Sequence, residues 1–280
     1  MLPMSHKVPH SSTPIVLLIG LFDPTGKQDI PADAVTCAAH GVHSVSAITG
    51  VAIADTASTL HIEVCPADQL DEQVRFLLED TPVQAIKVGY VASVEQISVI
   101  AQIAADYADV PMVLHLGPKM VEVGHEEESE EDGVDVLAHA TLELLVPQSE
   151  LVVIGPNSAD RWLDDDLTEL MDVGSGPQSI LQLGAGWVLV TAFKQRPGSL
   201  VHLLASSEGA TSTWPWRSGP ERTQDNTGLL ACAAASKLAQ GEVMEVACKS
   251  ACEYGLAAIG QAFQAGMGQR IAQRLPGATT

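Results

Sequence analysis

Three stretches of this 280-residue chain combine residue types that could bind and act on a small polar molecule. In the first, Gly20-Leu21-Phe22-Asp23-Pro24-Thr25-Gly26, an apolar run ends in a carboxylate and a glycine. Asp23 could contact a ligand there or cap its own loop. The second, Lys87-Val88-Gly89-Tyr90, puts a lysine and a glycine at the end of another apolar run. The third, Asp225-Asn226-Thr227-Gly228, opens an Ala-rich helix, whose first N–H groups would attract an anion. His115 stands at a strand end, where open α/β sheets place their sites. It suits a base and suits a structural histidine equally.

The elements that would hold these residues alternate. Ile15–Leu21, Val42–Thr49, Ala85–Val88, Val110–Leu116, Leu151–Ile154, Trp187–Ala192 and Val201–Ala205 read as strands. Helical patterns cover 30–40, 66–78, 93–107, 136–145, 228–240 and 243–263, with surface helices within 160–184. Gly41 is a natural stop and Ser93 a natural N-cap. This rhythm predicts a mainly parallel sheet with helices on both faces. Residues 1–14 read as a tail and 15–280 as one domain.

Composition narrows the function. The chain is 46% hydrophobic and 18% charged, with a formal net charge of −21. Phosphate-rich partners would be repelled, which argues against nucleic acid and anionic membranes. Ile15–Leu21 is too short to span a bilayer. Five scattered cysteines, Cys37, Cys65, Cys232, Cys248 and Cys252, point to reduced thiols in the cytoplasm. Cys248 and Cys252 lie one turn apart but lack further ligands nearby, so core packing is expected rather than a metal. The acidic run 122–135 reads as a solvated loop.

The order of motifs resembles the hydroxymethylpyrimidine/phosphomethylpyrimidine kinases. Asp23, Pro24, Thr25, Gly26, Ile30, Ala32 and Asp33 match that family's G-x-D-P-[ST]-G-G-A-G-I-x-A-D pattern. Lys87–Tyr90 is similar to its K-I-G-M segment, and Pro156-Asn157-Ser158-Ala159-Asp160 to its P-N-x-x-E segment. The resemblance implies a ribokinase-like, three-layer α/β/α sandwich. It implies Mg-ATP as cofactor, a pyrimidine as substrate and pairing as a homodimer. It places Asp23, Gly26, Gly89 and Tyr90 at the substrate, and Asn157, Asp160 and Thr191 at the nucleotide. Gly228 would sit in the catalytic turn.

The same comparison exposes departures. The family's G-A-G becomes Lys27-Gln28-Asp29, three bulky polar residues expected to alter or fill the pocket. Its Q-N-T becomes Ala54-Asp55-Thr56, its V-D-P-V-M becomes Leu114–Pro118, and its V-K-G-G-H becomes Val190–Lys194. Its catalytic turn N-T-H-G-T-G-C is replaced by Asp225–Ala231, so Ala231 takes the place of the catalytic Cys. Cys232 would face the site if the helix began one residue later; otherwise it is a buried small hydrophobe. Lys27 and Lys194 could contact phosphate or be surface lysines. Two readings follow: an active pyrimidine kinase, or a non-catalytic relative that binds a small ligand or a protein. The departures predict weak turnover and poor ATP binding.

Overall fold

The computed structural model describes residues 13–118, 136–156, 158, 162, 177–196, 198–223 and 225–275. Residues 1–12 of the expected tail and the acidic run 122–135 lie outside these, as do Asn157 and Asp160. Among the described residues, nine strands form one sheet in the order β3-β2-β1-β4-β5-β6-β7-β8-β9. They are β1 (Ile15–Phe22), β2 (His43–Ala54), β3 (Thr59–Val64), β4 (Ala85–Val88), β5 (Met112–Leu116), β6 (Leu151–Ile154), β7 (Trp187–Arg196), β8 (Ser199–Ser206) and β9 (Thr211–Pro215). Strands β2, β1, β4, β5, β6 and β7 pair in parallel. The β2–β3, β7–β8 and β8–β9 pairs are antiparallel.

Side-chain parity explains the layers. Successive strand residues face opposite sides, and both sides here are apolar, as a covered parallel sheet requires. Leu17, Ile19, Ile86, Val88, Leu114, Leu116, Val152 and Ile154 pack on one side. Against them lie α2 (Ala67–Asp80), α3 (Val94–Asp106), α4 (Val136–Ala140) and α5 (Pro177–Gln182). Val16, Leu18, Ala85, Val113, Leu151 and Val153 face the other side. Here α1 (Asp29–Ala39), α6 (Thr227–Ala239) and α7 (Met244–Gly260) cover them. The result is the expected mainly parallel α/β/α sandwich.

Two details position the site. Ala231, Ala233, Ala234 and Ala235 are fully buried, so α6 approaches the sheet closely because its residues end at Cβ. The Ser93 hydroxyl caps α3, accepting from Gln96 N at 3.3 Å, as expected. Among the described residues no helix is long and apolar enough to cross a membrane.

Candidate functional site

Parity in β4 sends Lys87 to the side of α1 and α6, between Ile86 and Val88 on the opposite core. A buried ammonium is costly unless paired and hydrogen-bonded. Lys87 is only 1% exposed, and its Nζ lies 2.6 Å from Asp33 Oδ2 and 3.2 Å from Asp29 Oδ1. Those carboxylates stand one turn apart on α1. Burial pulls Lys87 downward, but Asp33 and Asp29 outweigh it and hold the ammonium above the ordinary lysine range. Burial raises Asp33, opposed by Lys87 and Arg274.

Asp29 carries the family's lost glycine in its backbone. Its φ is +52°, the left-handed region that glycine enters freely and Asp only with effort. Such a conformation costs about 1–3 kcal/mol and persists only where surroundings enforce it. They do so here: Asp29 Oδ1 accepts from Lys87, and both carboxylate oxygens lie 3.3–3.4 Å from Tyr90 N. The carboxylate lies over two bare backbones. A Cβ at Gly20 would come within 2.7 Å of Asp29 Oδ1, and one at Gly89 within 1.8 Å.

Above this cluster, at the C-terminal ends of β4 and β5, opens a cavity of about 360 Å³. Lys27, Gln28 and Asp29 line it, so the three polar replacements reshape the pocket without filling it. Val91, Leu116, Leu137, Leu145 and Trp162 supply apolar wall. Trp162 is fixed by its indole N–H donating to Gly117 O at 2.7 Å. Leu145 and Thr141 belong to a π-helical turn, Thr141–Leu145, that continues α4; such turns recur at functional sites. Arg274, Gln269 and Thr223 reach the cavity from the C-terminal third of the chain.

At the start of α6, His115, Thr227 and Asp225 form a chain. The Thr227 hydroxyl donates to Asp225 Oδ1 at 2.7 Å, and Thr227 N donates to the same oxygen at 2.8 Å. The Thr227 oxygen is then left to accept from His115 Nε2, 2.8 Å away. The imidazole fits between Gly117 and Gly228, whose added Cβ atoms would lie 3.1 and 3.2 Å from its Cε1. Burial, with the Lys87 charge second, pushes His115 down to about 3. It is therefore a neutral ring near pH 7, with its Nε2 proton committed to Thr227.

Of the residues singled out by sequence, Gly89, Tyr90 and Gly228 share the cavity wall with His115 and Asp225. Asp23 and Gly26 do not line it. Asp23 Oδ1 caps its own turn, accepting from Thr25 N at 2.9 Å and Thr25 Oγ1 at 2.7 Å. Gly26, at φ +65°, closes that turn. Cys232 is also away from the cavity: its thiol is buried 3.3 Å from Asp33 O and 3.7 Å from Cys37 Sγ. The one-residue shift that would expose it does not occur, because α6 begins at Thr227. Thr191 borders a separate hollow of about 10 Å³, with His202, Trp216 and Asn226. That is room for about one water; Asn157 and Asp160, the other two residues expected at the nucleotide, lie outside the described residues. Among the described residues no group of three His, Cys, Asp or Glu is placed to hold a metal.

Sequence reasoning did not single out Trp162, Gln269 or Arg274, which lie far along the chain from the motifs. Arg274 carried one faint signal, a basic residue in a chain with only 14 Lys and Arg.

The phosphomethylpyrimidine kinase family model matches residues 23–273. The chain belongs to the phosphomethylpyrimidine kinase family. A hydroxymethylpyrimidine/phosphomethylpyrimidine kinase of Streptomyces coelicolor is 27% identical over 271 residues, spanning 95% of this chain and 96% of its own. Another, from Aquifex aeolicus, is 26% identical over 176 residues, 63% of this chain and 67% of its own. Among solved structures, an ADP complex of Bacillus subtilis pyridoxal kinase superposes with a TM-score of 0.77 at 19% identity, covering 95% of this chain and 98% of that one. A phosphomethylpyrimidine kinase from Clostridium difficile gives 0.65 at 21% identity, covering 86% and 96%. These likenesses establish the ribokinase-like fold of this family member.

Proposed function

We propose that this phosphomethylpyrimidine kinase family member binds a small heterocyclic ligand in the cavity beside Gly89 and Gly228, with phosphoryl transfer from Mg-ATP lost or reduced to a residual rate. The observation that carries the reading is the contrast between a retained cavity of about 360 Å³ and a fully buried Ala231 where the family has its thiol. Phosphoryl transfer depends on positioning and on charge stabilisation at the site. Losing the group that moves the proton costs about 10²–10⁴ in rate, or roughly 3–5 kcal/mol of barrier.

A second reading, an active kinase, is favoured by one observation: the Asp225 carboxylate lines the cavity beside Gly228 and is an acceptor for a substrate hydroxyl proton. Release of ADP from Mg-ATP and hydroxymethylpyrimidine separates the two. A turnover of order 1 s⁻¹ or more, inside the usual enzyme range, overturns the first reading. Binding of hydroxymethylpyrimidine by calorimetry without ADP release supports it.

A further inference from the structure

The segment after α7 turns back on itself and meets the turn between β2 and β3 beside the cavity. Its root is fixed. Phe263 N donates to Ile271 O and Ile271 N to Phe263 O, each at 2.9 Å, and Ile271 is buried. Arg274 ties the segment to α1 and the loop before it, donating to Thr36 Oγ1 at 2.7 Å and to Lys27 O at 3.1 Å. Gln264 braces the loop from inside, its Nε2 donating to Gly266 O at 2.6 Å and to Gly268 O at 2.7 Å. The facing turn is braced too: Asp55 Oδ1 accepts from Ala57 N and Ser58 N, both at 2.8 Å.

Two braced pieces therefore meet at Thr56. Gly268 N donates to Thr56 Oγ1 at 3.2 Å. A Cβ at Gly268 would run into Thr56 O, and one at Gly266 into Thr56 Oγ1. Neither glycine has a positive φ, so it is the close approach that excludes a side chain. Thr56 and Ala57 line the cavity from one side of this contact and Gln269 from the other. The loop tip is otherwise lightly held: Met267 is 90% exposed, Gly266 and Gln269 are exposed, and Met267 O has only the Arg222 guanidinium, at 3.4 Å. A firm root and a tip with few buried apolar contacts suit a segment that opens locally while the fold stays intact.

We propose that the contact of Thr56 with Gly266 and Gly268 is a latch: the loop 264–270 and the β2–β3 turn close this side of the cavity together, and a ligand enters and leaves as they part. The proposal rests on the ligand-binding reading above. Opening of such a lid sets the exchange rate in many enzymes. A latch that closes over the filled and the empty cavity alike governs association and dissociation together and leaves the affinity nearly unchanged.

The test staples the latch. A Cβ at Gly266 would lie 3.2 Å from Thr56 Cβ, a few tenths of an ångström inside the ~3.5–4.5 Å of a disulfide. The double variant Thr56→Cys/Gly266→Cys is therefore expected to cross-link under a mild oxidant and to open again with dithiothreitol. The probe is hydroxymethylpyrimidine, followed by stopped-flow fluorescence of Trp162. Both rate constants are expected to fall by about tenfold or more in the oxidised form and to recover on reduction. Gly268→Ala, which lifts the loop, is expected to raise both by about threefold or more, the size of one lost hydrogen bond. Equal rates in the oxidised and reduced forms overturn the latch and leave the ligand-binding reading standing. A changed affinity without a common change in both rates also overturns it, making the contact part of the binding wall. Failure to cross-link shows that the segments do not meet, and overturns it as well. A wild type that does not bind the probe removes the ligand-binding reading alone. The latch is then judged without a ligand, by acrylamide quenching of Trp162 against a Trp162→Phe control: slower quenching in the oxidised form supports it, and equal quenching overturns it.

Discussion

Lys87 Nζ sits 2.6 Å from Asp33 Oδ2, and both side chains are almost wholly buried. Removing one partner of a buried pair strands the other charge, at a cost of about 3–5 kcal/mol. Lys87→Met therefore lowers the melting temperature by something of order 10 °C. Asp33 is already raised by burial, and without Lys87 it should hold its proton still more firmly. The loss in Lys87→Met is thus expected to shrink as pH falls into the carboxylate range. Thermal melts of both proteins across that range check it; a pH-independent loss counts against the pairing.

That pairing also marks the limit of what local sequence carries. Asp29 and Asp33 were visible one turn apart, but nothing near them names Lys87, which reaches them through the β1–β4 pairing of the sheet. The parallel core strands were legible because each is a short apolar run closed by a turn signal. Strands β3 and β9 were not. In β3, Leu60 is 58% exposed while Ile62 is 5%, and in Thr211-Ser-Thr-Trp-Pro215 of β9 only Trp214 is a large apolar residue. Edge strands bury little, so their composition looks like loop. Of the motif residues, Gly89 and Gly228 line the cavity, whereas Asp23 and Gly26 stand in a turn that the Asp23 carboxylate caps; the sequence names both sets alike because the difference lies in the chain's path after each strand.

Acid should weaken the fold through two histidines. Burial holds His115 at about 3, with Lys87 adding to it, and holds His202 at about 4. Unfolded, each titrates near 6.5. The folded chain resists the proton that the unfolded chain accepts, so stability is full above about pH 6.5 and is lost as pH falls towards those values. Asp33, raised by burial, acts in the opposite sense and loses its contribution as pH rises through its folded value. Urea unfolding of wild type and His202→Asn between about pH 7 and pH 4 separates them. The variant should show a shallower acid loss; identical slopes would refute the assignment to His202.

The Thr227 hydroxyl joins His115 to Asp225. Thr227→Val keeps the branched shape and removes the link, leaving a histidine N–H without its acceptor. The expected cost is about 1–3 kcal/mol. Because the neutral ring would lose its orienting partner, its resonance in proton NMR should shift as well. A variant with unchanged stability and an unchanged imidazole signal would show that the ring is held by packing between Gly117 and Gly228 alone.

Restoring a thiol at Ala231 should not by itself restore a kinase. Ala231 is fully buried, and Leu229 and Leu230 fill the turn before it. Leu230 also packs on Gly255, where an added Cβ would lie 2.3 Å from its Cδ2. Ala231→Cys is therefore expected to raise ADP release by far less than the ~10²–10⁴ a working proton acceptor supplies. A gain of that size in the single variant would show that the turn is otherwise intact.

The strained Asp29 and the bare Gly89 should be energetically coupled. An alanine Cβ at Gly89 would sit 1.8 Å from Asp29 Oδ1 and 2.7 Å from Lys87 Nζ. The carboxylate must leave, breaking its contacts with Lys87 and the Tyr90 amide, so Gly89→Ala alone is expected to be strongly destabilising. In an Asp29→Gly background the main obstacle is gone, and Lys87 retains Asp33. The flexible end of Lys87 can then give way by a few tenths of an ångström. The double variant should therefore be more stable than the sum of the two single losses predicts, with a coupling of about 0.5–3 kcal/mol. Urea unfolding of the four proteins in the cycle measures it directly. Additivity within about 0.5 kcal/mol would mean that Asp29 does not occupy the space over Gly89, and the account of how this wall of the cavity is built would fail.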